Sequence, residues 1–329
     1  MKLQGIRIAG TGSYLPEKIL TNDDLSKIVD TSDEWIRSRT GICQRHIAAD
    51  DQFTSDLATE ASKKALEAAN MSVTDIQLII VATLTPDKTF PNTASAVQAK
   101  LGAPQAACFS LEAGCTGFVY ALEVAAGMIG SGLYQNALII GAEKLSSFVD
   151  WTDRTTCVLF GDGAGAAVIT ATDFENNTYL GSDLGSNGDQ HDSLHIPAGG
   201  CAIPITQDAI DKKLNTLQMN GKEVFKHAVN GMANSAVKAM EEANVTIDDI
   251  DWVVAHQANM RIISAVGQKL KVPSEKVYIN VDKYGNTSAA SVPIAFDEMV
   301  RKGLVKRGQK VLFVAFGGGL TWGASVVIY

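Results

Sequence analysis

Three residues in this sequence could act together on a carbonyl group: Cys115, His256 and Asn286. Cys115 lies between ACFSLEA, which is predicted to be a buried strand, and an apolar helix pattern, TGFVYALEVAAGMIG. Backbone N–H groups and the positive end of the helix dipole would then face its sulfur, which favours the thiolate and lowers the pKa of the thiol. Free cysteine is also among the most commonly buried residues, so a purely structural Cys115 is the alternative.

His256 ends the apolar run DWVVA, and Asn286 lies in the turn YGNTS before a helix pattern of small residues. A histidine at a strand end can be structural, and an asparagine before a helix is often only a cap. Together with a cysteine, the two suit thioester chemistry, in which sulfur forms an acyl-enzyme and hydrogen-bond donors hold an oxyanion or enolate. Papain-like proteases use the same residue types, so the set alone leaves the reaction open, although their local cysteine signature is absent.

The elements that position these residues follow a regular order. Continuous apolar runs such as IQLIIVAT, NALIIGAE and KVLFVAFGG alternate with helix patterns such as SDLATEASKKALEAAN. This order predicts an α/β protein with a mainly parallel sheet. The helix-turn-strand segment 65–83 recurs at 239–257, which predicts two related halves, 1–175 and 176–329, with chance similarity as the alternative. Segment 185–220, rich in Gly, Asp and Pro, is predicted to be an irregular insertion.

Composition excludes several classes of protein. The 329 residues carry a net charge of -8, which argues against a general nucleic-acid binder. The five cysteines lack paired zinc-site spacing and favour a reduced, cytoplasmic chain, with Cys157 predicted to lie mid-strand in the core. No secretory signal or membrane span is predicted. His191 and His195 lack accompanying ligands, so no metal site is predicted.

Motifs spread along nearly the whole chain carry a family resemblance. They are TSDEWIRSRTGI, TPDKTFPNTA, GCTGF, DRTTCVLFGDGAGAAV, MNGKEVFKHAV, HQANMRI, YGNTSAAS and FGGGLTWG. With these motifs the chain resembles the β-ketoacyl-acyl carrier protein synthase III family, the initiating condensing enzymes of type II fatty-acid synthesis in the thiolase superfamily. The resemblance implies a thiolase-like fold of two pseudo-symmetric α/β halves. Each half would have a mixed, mainly parallel sheet, and the layers would run α-β-α-β-α.

The resemblance also implies roles for individual residues. Cys115 would be the acylated nucleophile, His256 and Asn286 would support decarboxylation, and the N–H groups of Cys115 and Gly318 would form an oxyanion hole. The other implied sites are coenzyme A contacts at Thr31, Trp35, Arg39 and Arg154, an acyl pocket of Phe90, Phe160 and Leu194, and acyl carrier protein docking at Lys226, Arg261 and Lys269. Phe90 would cross a dimer interface to reach the pocket of a second copy.

The activity implied by the resemblance is condensation of acetyl-coenzyme A, or another short acyl-coenzyme A, with malonyl-acyl carrier protein. Coenzyme A thioester is then a substrate, and neither a metal nor a redox cofactor is expected. The expected partners are the acyl carrier protein and a second copy of the chain, without nucleic acid or membrane. The alternatives are a related enzyme of secondary metabolism with another starter or acceptor, and a catalytically silent member acting as a binding partner. Glu112 and Thr116 depart from the family pattern beside the cysteine.

Overall fold

The computed structural model describes residues 3–329, which form an alternating series of strands and helices. The strands are β1 (Gly5–Tyr14), β2 (Lys18–Thr21), β3 (Gln44–Ile47), β4 (Leu78–Ala82), β5 (Ala107–Leu111), β6 (Asn136–Glu143), β7 (Gly163–Thr172), β8 (Tyr179–Ser186), β9 (Leu194–His195), β10 (Gln218–Met219), β11 (Trp252–Ala255), β12 (Lys310–Gly317) and β13 (Thr321–Ile328). The helices are α1 (Asn22–Leu25), α2 (Asp33–Thr40), α3 (Thr54–Ala69), α4 (Thr93–Leu101), α5 (Gly117–Gly130), α6 (Gln207–Asp211), α7 (Gly221–Glu242), α8 (Met260–Leu270), α9 (Val281–Tyr284) and α10 (Ser291–Arg301). Within residues 3–329, no helix combines the length and the apolar character needed to cross a membrane.

Two mixed sheets form the scaffold, with strand orders β1-β7-β6-β4-β5 and β11-β12-β13-β8. The β6–β4, β4–β5 and β11–β12 pairs are parallel, whereas the other four neighbouring pairs are antiparallel. Mixed sheets are therefore confirmed, but parallel pairing is less dominant than the sequence predicts. The antiparallel pairing of β12 and β13 has a physical cause. The glycine-rich loop between them is too short for the crossover connection that parallel strands need, so only an antiparallel pair can form.

Five layers result from the way each sheet buries both faces. Helices α3 and α4 cover the outer face of the first sheet, where Ile79 and Val81 of β4 point. Leu78 and Ile80 point to the other face, into the core that contains α5, α10 and the inner face of the second sheet. Helices α7 and α8 cover the outer face of the second sheet. This α-β-α-β-α layering confirms the predicted thiolase-like fold.

The sequence repeat corresponds to a repeated local structure. The units α3–β4 and α7–β11 each consist of a helix, a short turn and a buried strand. Asn70 and Asn244 occupy matching positions after the two helices and share a left-handed backbone, with φ of 52° and 53°. Asp75 and Asp249 then cap the matching turns. Because the strands of the first sheet lie within residues 5–172 and those of the second within 179–328, each predicted half contains one of these two sheets, together with a two-stranded sheet, β2–β3 or β9–β10. The boundary at residue 175 stays a prediction.

Three local predictions need correction. The run ACFSLEA contains β5, which is an edge strand with half-buried and exposed residues rather than a buried strand. Cys157 is fully buried, as predicted, but it lies among turns between β6 and β7 and not in a strand. Segment 185–220 is partly regular, since it includes β9, α6 and β10. Apolar composition predicts burial well, but it does not distinguish a central strand from an edge or from a packed turn.

Candidate active site

A sharp turn between β5 and α5 holds Cys115. Gly114 has a left-handed backbone with φ of 53°, which favours glycine, and the turn Gly114–Thr116 leads directly into α5. The loop after β12 packs against this turn, and a methyl group on Gly317 would lie only 2.4 Å from the Cys115 nitrogen. Two glycines therefore allow two backbone segments to approach each other at the cysteine.

This close approach brings together the two N–H groups predicted to form an oxyanion hole. A methyl group on Gly114 would lie 3.0 Å from the Gly318 nitrogen, so the two turns are in direct contact. Within the described chain, neither the Cys115 N–H nor the Gly318 N–H donates to another backbone carbonyl. The two groups are therefore not engaged by the backbone, and their role in an oxyanion hole stays a prediction.

His256 follows the last residue of β11 and is 3% exposed. Its Nδ1 lies 2.6 Å from the Ser291 hydroxyl, which also accepts a hydrogen bond from the Gln257 N–H. If Ser291 gives its single proton to Nδ1, every donor in this chain of bonds is satisfied, and the ring proton remains on Nε2. Burial lowers the pKa of His256 to about 3, so the ring is neutral. It is a hydrogen-bond donor in an uncharged form.

Asn286 is held by its backbone on both sides. Its N–H donates to the Leu159 carbonyl at 2.8 Å, and its own carbonyl accepts from the Gly161 N–H at 3.0 Å. The Ser288 N–H donates to its side-chain oxygen at 2.8 Å. Because that bond occupies the amide oxygen, the amide NH₂ group is the end left to act as a donor.

The thiol of Cys115 is buried and accepts a hydrogen bond from the Ser288 hydroxyl at 3.3 Å. Burial raises the pKa of Cys115 to about 12, and this effect outweighs the opposite effect of the Ser288 hydrogen bond. The carboxylates of Glu143 and Glu112 raise the pKa further. The predicted lowering of this pKa is therefore wrong, because removal of water from the sulfur dominates. The resting site holds a neutral thiol.

One cavity of about 790 Å³ contains the inner and outer parts of the predicted site. Cys115, His256 and Asn286 all line it. The predicted coenzyme A contacts Trp35, Arg39 and Arg154 also line it, with the Arg154 guanidinium 5.4 Å from the centre of the Trp35 ring. Thr31 does not line the cavity, and its buried hydroxyl has no hydrogen-bond partner among residues 3–329.

A second cavity of about 380 Å³ lies on the other side of Cys115. The predicted acyl-pocket residues Phe160 and Leu194 line both cavities, and Gly318 lines the second. Phe90 lines neither, and 87% of its surface is exposed. An exposed phenylalanine outside its own pocket is compatible with the predicted contact to a second copy, which stays a prediction.

Of the three basic residues expected to bind acyl carrier protein, one lines the first cavity and two are exposed on the helices that cover the second sheet. Arg261 lines the cavity and lies over the Phe225 ring at 5.8 Å, while Lys226 and Lys269 are exposed on α7 and α8. Lys269 also contacts the Asn230 side chain. The structure adds Lys222, another lysine at the cavity, which the sequence analysis missed.

Two residues that are expected to depart from the family pattern support the turn at Cys115. The Glu112 carboxylate accepts from the Gly114 N–H at 2.9 Å. The Thr116 hydroxyl lies 3.0 Å from the Thr321 hydroxyl, which itself donates to the Ala113 carbonyl at 2.9 Å. Both side chains therefore fasten the backbone around the nucleophile. These contacts and those of Ser288 and Ser291 could not be predicted from the sequence, because a serine-rich motif does not indicate which distant residues it contacts.

Known proteins resemble this chain along its full length. Family models of 3-oxoacyl-[acyl-carrier-protein] synthase III match residues 109–188, and the C-terminal model of the same family matches residues 240–329. A β-ketoacyl-[acyl-carrier-protein] synthase III of Caldanaerobacter subterraneus is 56% identical over 97% of this chain and 96% of its own length.

Solved structures of related proteins are also similar to this chain. The crystal structure of 3-oxoacyl-[acyl-carrier-protein] synthase III from Aquifex aeolicus is 49% identical, has a TM-score of 0.91 and covers 99% of this chain and 100% of its own. A priming β-ketosynthase of a polyketide biosynthetic pathway is 34% identical with a TM-score of 0.92, covering 99% of this chain and 97% of its own. With the fold, the buried cysteine and both family models in agreement, this chain belongs to the 3-oxoacyl-[acyl-carrier-protein] synthase III family of condensing enzymes.

Proposed function

We propose that this protein starts fatty-acid synthesis by condensing acetyl-coenzyme A, or another short acyl-coenzyme A, with malonyl-acyl carrier protein. The products are acetoacetyl-acyl carrier protein, or its homologue, with coenzyme A and carbon dioxide. The observation that carries the proposal is the convergence of Cys115, His256 and Asn286 on one cavity. A sulfur nucleophile beside two neutral donors suits an acyl-enzyme followed by an enolate.

In the first stage, the Cys115 sulfur attacks the thioester carbonyl of the acyl-coenzyme A. The negative charge moves to the carbonyl oxygen, where the N–H groups of Cys115 and Gly318 donate to it. Collapse of this intermediate expels the coenzyme A thiolate and leaves the acyl group on Cys115. The packing of Gly317 against the Cys115 backbone supports this role, because donors fixed by close packing need no rearrangement when the charge develops.

In the second stage, malonyl-acyl carrier protein enters and loses carbon dioxide. The electron pair of the broken bond forms an enolate, whose oxygen accepts from His256 Nε2 and from the Asn286 amide. The enolate carbon then attacks the acyl-cysteine and releases the Cys115 thiolate. Neutral donors suit this task, since the proton stays on His256 while the hydrogen bond strengthens. Departure of carbon dioxide drives the condensation, so we propose that the protein works without a metal or redox cofactor.

We further propose that coenzyme A binds at the outer part of the first cavity. Trp35 and Arg154 are a suitable pair for its adenine, because an aromatic ring and a guanidinium can both stack on a base. Their 5.4 Å separation is less than the roughly 7 Å that two stacking contacts need, so Arg154 would move outward. Arg39 and Thr31 would lie nearby.

The proposed carrier protein docks on the basic rim of Lys226, Arg261 and Lys269. Acyl carrier proteins are acidic, and a positive rim on a protein of net charge -8 directs an acidic partner to the cavity mouth. Lys222 extends the same surface.

We also propose a homodimer in which Phe90 of one copy closes the second cavity of the other. The half-exposed edge strand β5 supports it, since an unpaired edge invites pairing with a second chain. In this arrangement the acyl group lies beside Phe160 and Leu194. The five free cysteines suit a reducing cytoplasm, which we propose as the location.

The direct test uses purified protein and a panel of acyl-coenzyme A primers. We expect the protein to gain the mass of one acyl group at Cys115 and then, with malonyl-acyl carrier protein, to form a product with a new carbon–carbon bond. Cys115→Ala should do neither, and Cys115→Ser should react slowly because a hydroxyl is much less acidic. Thioester hydrolysis without condensation would contradict the proposal. Preference for long, branched or aromatic primers would favour the secondary-metabolism alternative.

A further inference from the structure

A buried carboxyl group lies behind the nucleophile and has no part in the chemistry described so far. Glu143 is the last residue of β6 and is fully buried. Its hydrogen-bond donors are neutral groups of the segment after β4: the Thr83 hydroxyl, the Leu84 N–H, and the hydroxyl and N–H of Thr85. Burial without a cationic donor raises the pKa of Glu143 to about 7.

The two carboxyl oxygens of Glu143 differ in their contacts. Oε2 accepts from all four donors of the Thr83–Thr85 segment, at 2.6 to 3.2 Å. Oε1 shares only the Leu84 N–H, at 3.3 Å. The Ser288 hydroxyl lies near enough to this carboxyl group to lower its pKa, while its observed hydrogen bond is to the Cys115 sulfur. Glu143 therefore has unused acceptor capacity and a hydroxyl beside it.

Ser288 connects this carboxyl group to the nucleophile. Its hydroxyl lies 3.3 Å from the Cys115 sulfur, it is 1% exposed, and its backbone is left-handed with φ of 49°. The turn that contains it is pressed against β6, because a methyl group on Gly141 would lie 2.2 Å from the Ala289 carbonyl oxygen. A serine in a left-handed conformation and a closely packed glycine thus hold this hydroxyl beside the sulfur, on a turn that packs against the strand of Glu143.

We propose that Glu143 is a positioning residue that receives the Cys115 thiol proton through the Ser288 hydroxyl and holds it while the acyl-enzyme exists. The inference rests on the proposed function. In the resting site the Ser288 hydroxyl donates to the sulfur. For the transfer it turns to donate to Glu143, so that the thiol proton moves to the Ser288 oxygen as the sulfur–carbon bond to the acyl group forms, and the Ser288 proton moves to Glu143. The bond from the acyl carbon to coenzyme A breaks, and the coenzyme A thiolate takes a proton from solvent.

The second stage restores the starting state. When the enolate carbon bonds to the acyl carbon, the Cys115 thiolate leaves, and the proton on Glu143 returns through Ser288 to the sulfur. The net consumption is one solvent proton, which ends on coenzyme A. One proton per turnover is required because the negatively charged malonyl carboxylate leaves as uncharged carbon dioxide and the other products are also uncharged at the reacting atoms. The path therefore balances over a full turnover.

His256 cannot take this proton in the observed arrangement. Its Nδ1 contacts Ser291 at 2.6 Å, and in the tautomer that satisfies every donor of that chain its Nε2 carries the ring proton. A base is most effective when its pKa is near the working pH. Glu143 meets this condition, whereas the pKa of His256 is lowered to about 3 by burial.

The other charged groups around this path have separate partners. Lys144, next to Glu143, directs its ammonium group to backbone carbonyls of the loop before α3. Asp162 accepts from Ser146 and from the backbone of the loop after β3. Glu112 accepts from the N–H before Cys115 and raises the pKa of the thiol. The segments 83–85 and 288–290 carry no titratable side chain.

The sign of the pH dependence follows from this arrangement. Below a pH of about 7 Glu143 is protonated and cannot accept the thiol proton, whereas above it the carboxylate is ready to do so. The experiment is alkylation of Cys115 by iodoacetamide across pH 5 to 9 on the full-length protein, read by mass spectrometry of the Cys115 peptide. We expect the wild-type rate to rise through a midpoint near neutral pH.

Two variants test the path at different atoms. Glu143→Gln and Ser288→Ala should both lose the rise near neutral pH, and at pH 8 each should react about 100-fold more slowly than wild type. Ser288→Ala leaves the buried carboxyl group unchanged, so the test stands even if Glu143→Gln folds poorly. The matched control is Thr83→Val, which removes a hydrogen bond that lowers the Glu143 pKa. It should keep the rise but move its midpoint to higher pH.

A Glu143→Gln protein that reacts at pH 8 as fast as wild type, or faster, would overturn the proposal. In that case the negative charge of Glu143 only opposes the thiolate. Failure of the proposed function is a separate result, because it is read from wild-type protein: no acyl-enzyme would form with acyl-coenzyme A, whatever the alkylation profile of the variants.

Discussion

Replacing Gly317 with alanine tests whether the close packing of two turns positions the N–H groups of the predicted oxyanion hole. Gly317 ends β12, and the added methyl group would lie 2.4 Å from the Cys115 nitrogen and 3.1 Å from its Cα. Ordinary contacts of a Cβ atom begin at 3.4 Å, so the loop would have to move away from the cysteine turn by about 1 Å. Backbone atoms meet on both sides, so no side chain can rotate to relieve the overlap.

A shift of this size is enough to remove a donor from the oxyanion. Donors act when they lie about 2.7–3.1 Å from the developing charge, and loss of one donor lowers the rate about 100- to 1000-fold. We expect Gly317→Ala to slow acylation by this factor. The assay is the single-turnover rate at which the protein gains the mass of an acyl group after mixing with acetyl-coenzyme A.

The matched control is Gly127→Ala on α5, the helix that follows Cys115. A methyl group there would have no atom within 4 Å, and alanine favours a helix over glycine by about 1 kcal/mol. This variant should acylate at the wild-type rate and keep or raise its melting temperature. If Gly317→Ala also acylates at the wild-type rate, the contact between the two turns does not position the donors, and the assignment of Gly318 fails.

Two further predictions separate the condensation step from carrier-protein docking. Ser291→Ala removes the hydroxyl that bonds His256 Nδ1, so both ring tautomers become accessible. Condensation should slow about tenfold, which corresponds to the loss of one hydrogen bond of about 1.4 kcal/mol, while acylation of the cysteine is unchanged. Pre-steady-state measurement of the two stages would show this difference. Equal slowing of both stages would contradict the tautomer assignment. Arg261→Glu should raise the KM for malonyl-acyl carrier protein at least tenfold and make this KM less dependent on salt concentration, without changing the KM for acetyl-coenzyme A. An unchanged salt dependence would place the docking surface elsewhere.

Much of the scaffold could be predicted because local sequence patterns indicate its strands and turns. Continuous apolar runs predict β4, β6 and β12, and the repeated asparagine at positions 70 and 244 marks the same left-handed turn in both units. The same patterns place Cys115 in the turn after β5 and His256 directly after β11. Local sequence therefore predicted which elements carry these two residues.

The environment of the site could not be predicted in the same way. Ser288 and Cys115 are 173 residues apart in sequence, and His256 and Ser291 are 35 apart, yet each pair is in hydrogen-bond contact. No periodicity connects such pairs, because their proximity depends on how the two sheets pack. The raised pKa of the thiol follows from the same packing, since the helix dipole was visible in the sequence and the removal of water was not.

Burial gives this site a consistent electrostatic character. It raises the pKa of Cys115 and lowers that of His256, so both groups are uncharged at neutral pH. Apolar side chains such as Phe160 and Phe316 line the same cavity. In such surroundings a malonyl carboxylate is poorly solvated, and its loss as uncharged carbon dioxide transfers the charge to an enolate oxygen that faces fixed donors. The burial that makes the thiol a weak acid thus favours decarboxylation, and it explains why deprotonation of Cys115 calls for a dedicated proton acceptor.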